Sequence, residues 1–268
     1  METVKRKENL KFEFYYRPGL YLSVHQRKLL LGELKTVTDE CFEQTPDYQI
    51  LTGEVHEWER SVLVVARDRS DKIMGFCSSL LLPIENMGEV LHLGLTCVSL
   101  KARGLGLTHK LTSKLLLNLL TKHLPLQGIW VSNVACVVSS LGNVAQYFED
   151  IYPGPYSRRG PSAIHTQIAK TLSKSYRRPL AINQDAEFDP ERFVFKGSVA
   201  GSVFQKCSQD SKYHHRKRQI TDFYLRHMDI DAGDEVLQIG RVSLLTFPKY
   251  LLKKFAPIRP VAEIPVTS

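Results

Sequence analysis

The sequence is poor in cysteine and has no long apolar run, and each shortage excludes a class of protein. Its five cysteines are scattered and show no C-x-x-C spacing. This pattern is typical of reduced thiols and argues against a disulfide framework or a zinc site. The longest apolar stretches, such as KLLLNLL, are far too short to span a bilayer, and residues 1–16 lack the apolar core of a secretory signal. We therefore expect a cytoplasmic protein, with the nucleus not excluded.

The composition is that of a folded protein with a basic surface. Of the 268 residues, 43% are hydrophobic and 24% are charged, which is typical of a soluble globular chain. The net charge of +8 favours a polyanionic ligand, a nucleic acid or a membrane surface as partner. Part of this charge lies in KYHHRKRQ, residues 212–219. Such a run is typical either of a solvated surface or of a nucleic-acid or nuclear-import segment.

Apolar periodicity predicts an α+β order of elements through most of the chain. Strands are predicted at residues 10–16, 61–68, 73–83, 89–100 and 128–138, and helices at 26–44, 106–124, 139–153 and 162–176. Residues 177–217 have weaker periodicity, and no element is assigned there. A helix or strand, a turn at Ala232-Gly233 and a closing strand are expected after them.

The stretch VSLKARGLGLTHKL, residues 98–111, has the composition of an anion-binding turn. An apolar strand runs into Arg103 and two glycines, and an amphipathic helix follows at once. Gly104 and Gly106 let the backbone come close to a ligand, and the first N–H groups of a helix attract phosphate. No Gly-Lys-Ser/Thr follows and a third glycine is missing, so the stretch is neither a Walker loop nor a dinucleotide fingerprint.

This stretch resembles motif A of the GNAT superfamily of acyl-CoA-dependent N-acetyltransferases. Arg103, Gly106 and Thr108 occupy the three motif positions, and Val98 stands five residues before the arginine, where the family's fourth strand ends. Gly104 is also usual in the family. Thr108 departs from the family's glycine or alanine at that position.

The resemblance extends over residues 61–153 and implies a fold. It implies a mixed, mostly antiparallel twisted sheet flanked by helices, in which the fourth and fifth strands splay apart to admit a thioester. We expect a GNAT-like acyl-CoA-binding core at residues 1–176. A C-terminal extension at residues 177–268 is expected to complete or cover this core.

The resemblance also implies acetyl-CoA, or another acyl-CoA, as co-substrate, and an amine as acceptor of the acyl group. The pantetheine arm is expected at the end of the fourth strand and the pyrophosphate at the glycine turn. The residues implied to bind the co-substrate are Cys97, Val98, Arg103, Gly104, Leu105, Gly106, Leu107, Thr108 and Asn143. No metal is expected, because no His, Asp or Glu cluster has ligand spacing.

His92 is the candidate general base. Strict alternation along the strand places His92, Gly94, Thr96 and Val98 on one face and Cys97 on the other. Some histone-acetylating relatives carry a glutamate base at the position of His92. A histidine with an ordinary pKa suits removal of a proton from an amine near neutral pH. The alternative is a histidine that merely belongs to the sheet or lines the cleft.

Tyr147 is the candidate general acid, because relatives use a tyrosine on the helix after the fifth strand to protonate the departing thiolate. A different alignment places Phe148 there, and Tyr147 is then a plain core aromatic. Ser132 and Asn133 on the fifth strand are further candidates for hydrogen bonds to the co-substrate or the acceptor. The acceptor itself is not identified by the sequence.

An acyl-cysteine route through Cys97 or Cys136 is disfavoured, because neither thiol has an obvious paired base. Two rival interpretations remain open at this level. The same fold could carry out other acyl-CoA chemistry, with a different acyl group, an oxygen acceptor or decarboxylation. The chain could also be a non-catalytic module that binds an acidic partner or nucleic acid through its basic segment.

Overall fold

A mixed sheet forms the centre of the computed structural model, which describes residues 10–123, 128–157 and 159–246. Its nine strands among these residues are β1 (Lys11–Tyr16), β2 (Ser61–Arg67), β3 (Ile73–Ile84), β4 (Gly88–Val98), β5 (Ile129–Ala135), β6 (Glu149–Tyr152), β7 (Glu187–Asp189), β8 (Val194–Lys196) and β9 (Glu235–Val242). Their order is β1-β2-β3-β4-β5-β9-β8-β7, and β6 also pairs with β9. The predicted α+β fold with a mostly antiparallel sheet is confirmed.

Helices cover both faces of this sheet. They are α1 (Val24–Asp39), α2 (Val55–Arg60), α3 (Leu107–His123), α4 (Val138–Tyr147), α5 (Ala163–Ser175) and α6 (Arg218–His227). On one face, here called the α1/α5 face, α1 packs against Phe76 of β3 and α5 against Ile239 of β9. On the other, the α3/α4 face, α3 packs against Val131 of β5 and α4 against Val236 of β9. Within the described ranges, no helix has the length and apolarity needed to cross a membrane.

The helix that follows the glycine turn, α3, is fixed to the sheet by its apolar stripe. All the positions that its periodicity selects are buried, namely Leu107, Leu111, Leu115, Leu116, Leu119 and Leu120. Burial of one such side chain contributes about 1.5–3 kcal/mol, so the stripe holds the helix firmly. The start of α3 therefore has a defined position beside the end of β4. The last residue of the predicted helix, Leu124, lies outside the described residues.

The helix predicted at residues 139–153 is shorter than expected. α4 ends at Tyr147, and residues 149–152 form β6 against β9. Phe148 has an extended backbone and Asp150 a left-handed one, with φ of 49°. The prediction was wrong because the hydrogen bonds that β9 offers to this segment are a tertiary feature that local periodicity does not report.

The chain after residue 177 adds strands to the same sheet. β9 lies between β5 and β8 and pairs with β5 from Ile129↔Val242 to Ala135↔Val236. The predicted closing strand is therefore confirmed. β7 and β8 have three residues each, which is too short for a periodic signal. The division of the chain at residues 176 and 177 stays a prediction, and residues 247–268 lie outside the described residues.

β4 and β5 form the one parallel pair among the described strands, and they pair over only three residues. Leu91–Leu93 lie opposite Val131–Asn133. Beyond this point β4 continues to Val98 and β5 to Ala135 without pairing to each other. The gap between residues 94–98 of β4 and residues 134–135 of β5 is called the wedge below. The predicted splay of these strands is confirmed.

Candidate active site

A cavity of about 450 Å³ occupies the wedge. Gly94–Thr96 of β4 line it on one side, and Asn133–Ala135 line it on the other. Because the sheet is open here, side chains from both of its faces reach the cavity. They include Thr108, Thr112, Asn143 and Tyr147 from the α3/α4 face, and Tyr48, Leu180 and Glu235 from the α1/α5 face. A ligand in the wedge can therefore contact both faces of the sheet.

A β-bulge at Gly94–Leu95 changes the orientation of the end of β4. Cys77 of β3 pairs with Thr96, whereas Ser79, two residues on, pairs with Leu93. Two residues of β4 thus stand opposite one residue of β3. The bulge inserts one extra residue into the strand. After it, odd-numbered and even-numbered side chains therefore exchange the faces that they occupied before it.

The bulge corrects the predicted faces of the β4 side chains. His92 lies on the α1/α5 face, whereas Thr96 and Val98 lie on the α3/α4 face. Cys97 lies on the same face as His92, buried in the apolar cluster of α1. The expectation that His92 shares a face with Thr96 and Val98, and that Cys97 points away from it, was wrong because strict alternation was assumed.

The backbone of β4 presents Thr96 and Val98, and not Cys97, to the wedge. The Ser99 N–H donates to the Met74 carbonyl of β3 at 3.0 Å. Since hydrogen bonding alternates along an antiparallel strand, the N–H and C=O of Cys97 also face β3. Those of Thr96 and Val98 face away from β3, toward β5. Cys97 is therefore displaced as a predicted co-substrate contact, and its neighbour Thr96 has the suitable orientation.

The glycine turn before α3 has a backbone conformation that favours glycine. Gly104 and Gly106 have φ of +81° and +67°, where a side chain costs roughly 1–2 kcal/mol. A Cβ on Gly106 would meet no atom within 4 Å, so the space above it is open. The Glu40 carboxylate, just after α1, fixes the start of the turn. It accepts hydrogen bonds from Ser99 Oγ and the Leu100 N–H at 2.7 Å each.

Arg103 is exposed beside this turn, as an anion-binding role requires. Its Nη2 donates to the Glu40 carbonyl at 3.4 Å, which leaves further guanidinium donors for a ligand. Leu105 and Leu107 turn their side chains toward the core, so only their backbone groups are available to a ligand. The first N–H groups of α3 have no partner within the helix. The turn and the helix start together form a positively polarised surface next to the cavity.

Three of the predicted site residues line the cavity from the α3/α4 face: Thr108, Asn143 and Tyr147. Tyr147 is the last residue of α4, and its Oη accepts a hydrogen bond from Arg216 Nη2 at 3.0 Å. The basic segment at residues 212–219 thus contacts one residue of the cavity wall through Arg216. Phe148 also lines the cavity, but it has no proton to donate.

A chain of buried hydrogen bonds holds His92 at the narrow end of the wedge. His92 Nδ1 lies 3.0 Å from Ser132 Oγ, and its Nε2 lies 3.4 Å from Tyr48 Oη. Gln49 Nε2 donates to the same hydroxyl at 2.9 Å, and Ser78 Oγ donates to Gln49 Oε1 at 3.1 Å. Both imidazole nitrogens are therefore engaged. The chain links β3, β4 and β5 where the strands begin to separate.

The position of His92 does not suit a general base. The residue is fully buried and is absent from the cavity wall, although its partner Tyr48 lines the cavity. Burial lowers the pKa of His92 to about 3, so the imidazole stays neutral and weakly basic at physiological pH. The Gln49 side chain packs directly against Gly94. A Cβ on Gly94 would collide with the Gln49 amide.

Two features together identify the fold. The sheet is mostly antiparallel, and its parallel strands β4 and β5 separate next to the glycine turn and the start of α3. The chain has the GNAT-type fold. No protein-family profile matches the sequence, and no curated protein is significantly similar to it. The fold is therefore recognised from its architecture and from the motif at residues 98–111.

Solved GNAT structures are among those similar to this chain. A GNAT-family acetyltransferase from Staphylococcus aureus is 15% identical, over 46% of this chain and 72% of that chain, with a TM-score of 0.32. An acyl-CoA N-acyltransferase from Pseudomonas aeruginosa is 22% identical, over 47% and 79%, with a TM-score of 0.34. A GNAT-family N-acetyltransferase from Escherichia coli, solved in complex with CoA, is 13% identical, over 50% and 67%, with a TM-score of 0.29.

The GNAT-type wedge has an aromatic wall that the sequence patterns did not identify. Phe204 packs edge-on against both Phe42 and Tyr48, with ring centroids 5.8 Å apart in each pair. All three side chains line the cavity. The contact joins the segment after α1 to the segment before α6. These residues lie more than 150 positions apart in sequence, so no local pattern brings them together.

Glu235, the first residue of β9, is a second cavity residue that the sequence did not indicate. It is 7% exposed, and its Oε2 accepts a hydrogen bond from Ser198 Oγ at 2.7 Å. Burial raises the pKa of Glu235 to about 7. A single acidic residue at the start of a predicted strand is typical of a solvated position, so the sequence carried no signal for this role.

Neither Cys97 nor Cys136 has the properties of a nucleophile in this structure. Burial raises the pKa of Cys136 to about 12. Hydrogen bonding to Cys41, together with burial, raises the pKa of Cys97 as well. Both thiols are therefore protonated at neutral pH, whereas a nucleophilic cysteine must be a thiolate. Among the described residues, no group of three or more His, Cys, Asp or Glu side chains is placed to hold a metal ion.

Proposed function

We propose that this protein is an acyl-CoA-dependent N-acyltransferase that moves an acetyl group from acetyl-CoA directly to an amine in a ternary complex. The observation that carries the proposal is the wedge. The end of its β4 edge does not pair with β5, its mouth adjoins the glycine turn of α3, and Tyr147 lines its wall. These three features are the ones that a long thioester with a phosphorylated end requires.

The residues present fit an acyl-CoA at each part of that molecule. The open space above Gly106, the exposed Arg103 guanidinium and the first N–H groups of α3 suit the pyrophosphate. The backbone of Thr96 and Val98 suits the amides of the pantetheine arm. The side chains of Thr108 and Asn143 line the path between them. The net charge of +8 favours encounter with a polyanionic co-substrate.

Transfer requires two proton movements that the chain itself must provide. Acyl-CoA, when bound, supplies an activated thioester carbonyl. The acceptor nitrogen has to lose a proton before it can form a bond, and the sulfur has to gain one as it leaves. Tyr147 is proposed to donate the proton to the sulfur, since it lines the cavity and its hydroxyl is held by Arg216. His92 is proposed to position Tyr48 rather than to act as the base.

The test is ligand-induced stabilisation on variants of the glycine turn. Wild-type protein with CoA at about 100 times its Kd should gain about 2.7 kcal/mol in the free energy of unfolding, equivalent to a rise in Tm of roughly 5–10 °C. Gly106→Glu should remove this rise, because the new carboxylate repels the pyrophosphate. Gly106→Ala introduces the same backbone strain without the charge and should keep most of the rise.

Gly88→Glu is the matched control for strain at a distant turn. Gly88 has φ of +81°, and a Cβ there would also meet no atom within 4 Å. This variant should lose stability about as much as Gly106→Glu and still respond fully to CoA. The proposal is overturned if wild-type protein shows no rise in Tm with CoA or acetyl-CoA, or if Gly106→Glu responds like Gly88→Glu.

A further inference from the structure

Glu235 has the surroundings of a buried anion that lacks a cation. Its carboxylate is 7% exposed and lines the cavity. In the described part of the chain no Lys, Arg or His nitrogen lies within 4.0 Å of it, and Ser198 is its one hydrogen-bond partner. That bond is to Oε2, whereas Oε1 has no hydrogen-bond partner among the described residues and keeps some contact with solvent. Because Glu235 lines the cavity, a ligand bound there can approach this carboxylate.

The ionisable groups that face Glu235 do not neutralise it. Tyr48 and Cys136 lie close enough for the carboxylate charge to raise the pKa of each, and burial keeps both protonated. Lys206 also lines the cavity, but its Nζ donates to the carbonyls of Val203 and Gln205 at 3.1 Å. A buried carboxylate without a paired cation is costly, and a bound ammonium would remove that cost.

Apart from Lys206, the other side chains near Glu235 in the cavity wall are mostly aromatic or aliphatic. Phe42, Tyr48 and Phe204 form the aromatic wall, and Leu180 adds an aliphatic contact. Aromatic faces attract cations and also bind apolar groups. The chemistry of this wall thus suits a cationic nitrogen attached to a small apolar or aromatic body, and it offers little to a sugar or a nucleotide.

We infer that Glu235 binds the ammonium of the acceptor and takes its proton, and that the acceptor is a primary amine on an apolar or aromatic body. This inference rests on the proposed function for its chemical step, whereas the amine binding stands without it. Glu235 lies on the α1/α5 face, and Tyr147 lies on the α3/α4 face. The base and the acid are therefore on opposite sides of the wedge, where the reacting carbonyl would lie between them.

The proton balance closes with these two groups. The ammonium gives one proton to Glu235, and the neutral nitrogen forms the C–N bond while the C–S bond breaks. Tyr147 gives its proton to the sulfur and recovers one, through solvent, from the nitrogen as the amide forms. Glu235 releases the first proton to solvent, so one ammonium and one thioester yield an amide, a thiol and a proton. Because burial brings the pKa of Glu235 to about 7, it can take and release a proton near neutral pH.

Binding of a matched pair of probes tests the inference without any turnover. Calorimetric titration at pH 8 compares benzylammonium with benzyl alcohol on wild type, Glu235→Gln and Glu187→Gln. Gln keeps the shape of the side chain and its bond to Ser198, and Glu187 is an exposed glutamate on β7 that serves as control. We expect wild type and Glu187→Gln to prefer the amine by at least about 10-fold, and Glu235→Gln to lose the preference.

Turnover then separates the base from a mere binding role. With acetyl-CoA and benzylamine, Glu235→Gln should lose roughly 100-fold in kcat. With hydroxylamine, whose nitrogen is already unprotonated at neutral pH, the loss should be less than about 5-fold. The inference is overturned if wild type binds the amine no better than the alcohol, if Glu235→Gln keeps the preference, or if both nucleophiles lose equally. Failure of the proposed function would instead appear as absence of CoA binding in every variant.

Discussion

The two faces of the sheet contribute to the wedge in different ways. The α3/α4 side offers the backbone groups of the glycine turn and of the start of α3, together with the polar side chains of Thr108, Asn143 and Tyr147. The α1/α5 side offers side chains, among them Tyr48, Phe204 and Glu235. Backbone groups suit phosphates and amides, which are the same in every acyl-CoA. Side chains vary between proteins and suit the acceptor. The difference fits the proposed function, in which one face binds the donor and the other selects the amine.

His92 and Glu235, both on the α1/α5 side, are buried titratable residues that differ in their suitability as proton acceptors. Burial favours the neutral form of both, and it lowers the pKa of His92 to about 3 and raises that of Glu235 to about 7. Both nitrogens of His92 are engaged by Tyr48 and Ser132, whereas Glu235 lines the cavity and has one oxygen without a partner among the described residues. Access to a substrate and a pKa near the working pH thus separate a proton acceptor from a structural group.

The largest effect that we expect is on stability, from Glu235→Gln as a function of pH. A carboxyl group whose pKa is raised from 4.5 to about 7 in the folded state stabilises the protein below pH 4.5. This contribution is lost as pH rises to 7. Between pH 4.5 and 8, the free energy of unfolding of Glu235→Gln should therefore rise by about 3 kcal/mol relative to that of wild type. Urea unfolding at several pH values measures this difference.

The acid sensitivity of His92 does not confuse this comparison. Because its pKa is lowered in the folded state, neutral His92 contributes to the free energy of unfolding above pH 6.5, and this contribution is lost as pH falls toward 3. Wild type and the Glu235 variant share that loss, so it cancels in their difference. A difference that stays constant between pH 4.5 and 8 would show that Glu235 is not a strained buried acid, and it would remove the electrostatic basis for ammonium binding.

The next effect is on turnover, from Tyr147→Phe. If the hydroxyl protonates the leaving sulfur, kcat should fall by roughly 100-fold. Binding of CoA, measured by the rise in Tm, should change little, because the ring and its packing are kept. Tyr156→Phe removes an exposed hydroxyl near the second half of β6 and is the matched control. Equal kcat values in wild type and Tyr147→Phe would assign the proton to solvent.

The geometry of the glycine turn and of α3 was largely predictable from the sequence, and the reason is local. Gly104 and Gly106 are needed because the backbone has positive φ there, and both lie within four residues of Arg103 and the helix start. The apolar stripe of α3 has the same local character. A short window of sequence therefore contains the turn, the charge and the helix that together form this part of the site.

The acceptor side was not predictable, because non-local contacts form it. Phe42 meets Phe204, and Glu235 reaches the cavity only because β9 is inserted beside β5. The bulge at residues 94–95 reverses the faces of the β4 side chains, and no residue pattern reported it. The bulge explains why His92 lies on the opposite face from Thr96 and Val98. The base role given to His92 stays a prediction, and its complete burial outside the cavity wall does not favour it.

The smallest effect concerns Arg216, which comes from the basic segment and contacts the proposed acid. Its Nη2 donates to Tyr147 Oη at 3.0 Å. Arg216→Gln should lower kcat by roughly 2- to 10-fold, equivalent to the 0.5–1.5 kcal/mol of a typical hydrogen bond. Arg218→Gln, which removes an exposed charge two residues on, controls for net charge.

A double-mutant cycle shows whether this contact works through the tyrosine. If Arg216 only orients Tyr147, Arg216→Gln should have no further effect on kcat in the Tyr147→Phe background, because the acceptor of its hydrogen bond is already gone. An undiminished effect in that background would mean that Arg216 acts on the substrates directly. Its charge would then belong with Arg103 to the surface that attracts CoA, and the basic segment would serve the donor rather than the proposed acid.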